Sequence, residues 1–70
     1  MKISEMIDMY NKLYRNKKYD TERLLDTLLA VYGARRKCLE AGDIENYNEN
    51  CIKMTVIKNI LIERLPREVM

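Results

Sequence analysis

Seventy residues make one domain at most, and a chain this short buries only a small core. The 13 basic and 11 acidic residues leave a formal net charge of +2, too balanced for the concentrated basic surface that nucleic-acid binding needs. There is no histidine, the commonest metal ligand and neutral-pH general base, and two cysteines, Cys38 and Cys51, allow one bridge at most. With disulfides and metals set aside, a second subunit or a protein partner is the expected source of extra burial. The apolar stretches are short and interrupted, so no membrane span is expected. Met1 to Glu5 lacks the apolar core of a secretion signal, and the expected location is the cytoplasm, with reduced thiols.

The first predicted helix covers about residues 4–16. Ile3, Met6, Ile7, Tyr10, Leu13 and Tyr14 recur at three- and four-residue steps and form one apolar stripe. Ser4 suits the N-cap, with Glu5 and Asp8 early and Lys12 and Arg15 late, as the helix dipole favours. Asn16, Lys17 and Lys18 then make a basic connector.

The second helix covers about 20–41. Asp20 is its expected N-cap, and Tyr19 and Leu24 have the spacing of a hydrophobic staple across that cap. Leu24, Leu25, Leu28, Leu29, Val31, Tyr32, Cys38 and Leu39 are expected to face inward. Gly42 stands where a left-handed residue ends a helix. Gly33, in mid-helix, either admits another helix closely or is a tolerated defect.

The third helix covers about 43–65. Asp43 caps it, Glu45 supports the first turn, and Pro66 is expected to stop it, leaving Arg67 to Met70 as a tail. The turn between the second and third helices is too short for anything but antiparallel packing. In that register Leu24, Leu28 and Val31 come level with Leu61, Ile57 and Met54, apolar on both sides. The fold class is therefore all-α: a single helical domain over residues 1–70, a three-helix mini-domain dominated by a long antiparallel hairpin.

The third helix carries more apolar surface than one neighbour can cover. Tyr47, Cys51, Met54, Ile57, Leu61 and Leu65 suffice to face the second helix. Ile52, Val56 and Ile60 form a second stripe, with Ile62 near it. Either the first helix covers this stripe or another chain does, and these four residues are the expected partner interface.

No sequence pattern carries catalysis. The carboxylates near the turn, Glu40, Asp43, Glu45 and Glu49, read as solvated caps, and no histidine exists to activate a cysteine. The chain is therefore expected not to be an enzyme and to need no metal or cofactor. Lys12, Arg15, Lys17 and Lys18, interleaved with Tyr14 and Tyr19, could contact nucleic acid. Residues 1–18 hold five basic and two acidic groups, a local +3. Arg35, Arg36, Lys17 or Lys18 could bind an anionic, nucleotide-like ligand between subunits. Consecutive helical residues diverge by about 100°, so Arg35, Arg36 and Lys37 are not expected to share one patch. The plainer expectation for Arg35 is an ion pair with Glu49. Asn46, Asn48 and Asn50 suggest a polar recognition surface, or merely an exposed turn. Cys38 and Cys51 are offset by about 6 Å along the hairpin and are expected to stay free thiols. The leading expectation is a small regulatory protein that self-associates, as a homodimer or higher oligomer, and binds a protein partner. Nucleic-acid binding and sequestration of a small anion are the alternatives.

Overall fold

A computed structural model describes residues 2–69, with side chains as far as Pro66. Three helices follow one another: α1 (Ile3–Tyr14), α2 (Thr21–Ala41) and α3 (Ile44–Val69). At 1.5 Å per residue α3 is roughly 39 Å long, and it sets the 42 Å long axis of the domain.

Local chemistry places most helix ends. Asp20 accepts a hydrogen bond from the Arg23 amide at 2.8 Å and starts α2. Gly42 adopts φ 73°, the left-handed conformation that costs a residue without Cβ little. The amides of Gly42 and Asp43 then return to the carbonyls of Leu39 and Cys38 at 3.2 and 2.8 Å, closing α2 with a Schellman turn. Asp43 at once caps α3 through the Asn46 amide at 3.3 Å, and its second oxygen accepts from the Asn46 side chain at 2.7 Å. The Asn46 bonds hold the Asp43 carboxyl below the usual carboxylate range.

Three expected helix ends are corrected. Ser4 is not a cap, because the Met6 amide already bonds to the Lys2 carbonyl at 3.1 Å and draws Ile3 and Ser4 into α1. Lys2 occupies the cap position without a side-chain bond. α1 ends at Tyr14 and not near Asn16, whose side-chain oxygen accepts from the Lys18 amide at 3.1 Å and makes a turn instead. α3 runs through Pro66 to Val69. Pro66 stands near the end of α3, where it leaves the carbonyl of Ile62, a residue at the surface, without its helical donor. Met70 of the expected tail lies outside the described residues.

α3 is the central helix. It supplies Met54, Val56, Ile57, Ile60 and Leu61 to the buried core, against Leu24 and Val31 from α2 and Tyr10 and Tyr14 from α1. The expected antiparallel register of α2 and α3 holds. Leu24, Val31, Met54, Ile57 and Leu61 are all buried, and Leu28 packs against them. Tyr19 packs on the same cluster, beside the α2 cap. α1 lies along the other flank of α3 and runs in the same direction. Tyr10 donates to Glu49, and Arg15 forks onto Glu63 further along.

This arrangement decides the fate of the second stripe. Val56 and Ile60 are 3% and 1% exposed and Ile52 is half-buried, so α1 covers them within the chain. They are core and not a free interface; only Ile62, 67% exposed, stays outside. The expectation of a broad inward face on α2 is also corrected. α1 and α2 barely meet, which leaves α2 with α3 as its one close neighbour. Leu25, Leu29 and Leu39 are therefore exposed. On α1 it is Tyr10 and Tyr14 that turn inward, while Ile3, Ile7 and Leu13 remain at the surface.

Gly33 admits no helix of its own chain: a Cβ built there meets nothing within 4 Å. Gly33→Ala should therefore stabilise α2 by about 1 kcal/mol, the ordinary helix-propensity difference. A thermal melt of dilute protein should show a rise of several degrees; a fall would mean that something else needs the space.

Candidate functional site

At the basic end of α1 the cations and the tyrosine rings do not share one surface. Arg15 is committed to Glu63, through Nη1 at 2.8 Å and Nη2 at 3.1 Å, and its Nε donates to Asn11 at 3.1 Å. The Glu63 bond pushes the Arg15 pKa up further. Lys12, Lys17 and Lys18 are exposed, but the tyrosines between them face inward. Tyr14 stacks on Tyr10 at 6.0 Å and meets Tyr19 edge-on at 5.2 Å. Rings packed in this way have no free face for a base.

Arg35 does not pair with Glu49, which instead accepts a hydrogen bond from the Tyr10 hydroxyl. The two residues stand at the same height, but Glu49 points toward α1. The Arg35 guanidinium lies over two rings, 5.4 Å from the centre of Tyr32 and 5.9 Å from that of Tyr47. It bridges the α2–α3 seam by cation–π contact. Lys58 approaches the same Tyr32 ring at 5.2 Å. Among the described residues Arg35 makes no ion pair.

These side chains border a cavity of about 360 Å³, lined by Tyr32, Gly33, Arg35, Arg36, Leu39 and Tyr47. Arg35 and Arg36 both line it, because Tyr32 and Leu39 occupy the helix face between their two directions. Lys37 does not line it. Arg36 also approaches Glu40 at 3.4 Å, an exposed pair that contributes little.

The remaining candidates have structural uses. Asn46 donates its amide and its side chain to Asp43, the cap of α3, and Asn50 is buried and donates to the Cys38 sulfur at 3.7 Å. With Asn48 exposed, the three asparagines form no common surface. Cys38 and Cys51 are free thiols. Among the described residues no group of three His, Cys, Asp or Glu could hold a metal ion, and no helix is long and apolar enough to cross a membrane. Sequence reasoning missed the rings of Tyr32 and Tyr47 as the partners of the Arg35 guanidinium. The signal was there: Tyr32 sits one turn before Arg35, and Tyr47 comes nearly level with it across the hairpin.

Compared with protein-family profiles, curated proteins and solved structures, the chain has no match.

Proposed function

We propose that this chain is a non-enzymatic, cytoplasmic interaction protein that self-associates and docks a protein partner through the outer side of α2. The observation that carries the reading is Leu29, 70% exposed in the middle of a long helix with one close neighbour. Leu25 and Leu39, at 44% and 56%, extend the apolar surface to both ends. A small core that leaves such surface open gains from a second copy.

The charges of α2 support antiparallel self-pairing. Glu22 and Asp26 lie in its first half, Arg36 and Lys37 in its second. A twofold axis at the level of Val31 sets Leu29 against Gly33 of the second copy, where no Cβ stands in the way. The same axis brings Asp26 beside Arg36 of that copy. Glu22 and Glu40 oppose each other at the far ends, where helices that cross have diverged.

Sedimentation equilibrium across micromolar concentrations tests this. The wild type should associate with rising concentration, and Leu29→Glu should remain monomeric. Because Leu29 lies outside the core, its replacement should change monomer stability by no more than about 0.5 kcal/mol. A wild type that stays monomeric throughout would rule out self-association.

A further inference from the structure

We propose that the cavity at the α2–α3 seam binds a small phosphorylated ring compound of nucleoside-monophosphate size, with Arg35 and Arg36 holding the phosphoryl group. Arg35 is the anchor. Arg35 is half-buried as a residue, and its guanidinium lies over the rings of Tyr32 and Tyr47, which orient it before any ligand arrives. Its fork of N–H donors matches phosphoryl oxygens, and no carboxylate of the described residues occupies it. Arg36 stands on the other side of the cavity, and Lys58 lies beyond Tyr32.

The acids of α3 near this level all serve elsewhere. Asp43 is bonded to Asn46, Glu49 accepts from Tyr10, and Glu45 and Glu49 line the groove against α1. Among the described residues Glu40, half-engaged by Arg36 at the surface, is the one acid paired with a cation of the cavity. The seam is thus electropositive while the opposite flank of the same helix is acidic. Such separation of charge attracts an anion to the seam. The other walls are flat and apolar: the ring of Tyr47, the side chain of Leu39 and the bare backbone at Gly33. They suit a planar ring, and about 360 Å³ lies within the usual range of small-ligand sites.

The cavity shares Gly33, Arg36 and Leu39 with the proposed self-pairing face of α2, so the two proposals are separated by working with dilute, monomeric protein. The test is a heteronuclear NMR titration of dilute protein with AMP, UMP, adenosine and inorganic phosphate. Both nucleotides should shift the amides of Gly33, Arg35, Arg36 and Tyr47 in a saturable way. Adenosine and phosphate alone should bind at least about tenfold more weakly, because each engages half of the site. Arg35→Gln should weaken nucleotide binding about tenfold or more, the usual scale of a lost charge-assisted bond. Gly33→Leu fills the cavity from an open helix position and should abolish binding while both arginines stay in place. Leu29→Glu should bind like the wild type, which separates this proposal from the docking surface of α2. Unchanged binding in folded Gly33→Leu would overturn the proposal. So would shifts centred on Lys12, Lys17 and Lys18, or phosphate binding as tightly as the nucleotides.

Discussion

Val56→Lys unfolds the chain. Val56 is 3% exposed, in the layer where α1 closes over α3, and a lysine there must either bury its ammonium or push α1 away. An unpaired buried charge costs several kcal/mol. A chain of this size has on the order of 3–10 kcal/mol of stability in total, at the usual value per residue. Far-ultraviolet circular dichroism should show most of the helix signal lost at room temperature. Ile62→Lys is the matched control. Ile62 lies on the same helix but is 67% exposed, so the change should cost no more than about 0.5 kcal/mol. A folded, monomeric Val56→Lys beside an oligomeric wild type would mean that a second chain, and not α1, covers the stripe.

The second large effect is alkaline unfolding driven by two tyrosines. Burial pushes the Tyr10 phenol well above its ordinary value of 10.0, and its bond to the Glu49 carboxylate and the charge of that group push it further. Burial also raises Tyr14, with a smaller contribution from Tyr19. The native state therefore keeps these protons after the unfolded chain has released them. A folded-state pKa above the unfolded one gives stability that is fully present below pH 10 and lost as pH rises toward the native values. In that window each phenol removes up to about 1.4 kcal/mol per pH unit. Stability should be indifferent to these groups at neutral pH and fall steeply above about pH 10. Phenolate absorbance and helix content should change together for the core tyrosines. Tyr14→Phe removes one of the two and should reduce the steepness by about half. Helicity that survives full phenolate formation would contradict the buried, neutral Tyr10 and Tyr14.

The caps show what was legible in the sequence. Asp20, Gly42 and Asp43 act through bonds to residues three to five positions away, so their chemistry is readable without knowing the fold. The register of α2 on α3 was legible for a related reason, because a short turn converts residue number into height along the hairpin. What the sequence does not express is direction around a helix axis, since that depends on which neighbours arrive. Arg35 and Glu49 share a height, yet the arrival of α1 turns Glu49 to Tyr10 and leaves Arg35 between two rings. The same uncertainty covered the stripe at Ile52, Val56 and Ile60. Its period was plain, but whether its cover came from residues 3–14 or from another molecule depended on how α1 docks. The exposure of Leu25, Leu29 and Leu39 is the complement of that choice: an α1 spent on α3 cannot also cover α2.

That placement of α1 also orders the events of folding. α2 and α3 meet through a turn of Gly42 and Asp43, so their contacts zip from the turn outward with little loss of chain entropy. α1 reaches α3 only across long loops, 39 residues from Tyr10 to Glu49 and 48 from Arg15 to Glu63. Closing such loops is slow when nothing has formed, and easier once the hairpin holds the far end in place. The hairpin is the nucleus in this scheme, and α1 is the latch that drops last. Contacts made after the rate-limiting step govern how fast the native state is lost and not how fast it is reached. In this scheme Tyr10→Phe should speed unfolding and leave the folding rate nearly unchanged, while Leu24→Ala should slow folding, as stopped-flow chevron kinetics would show.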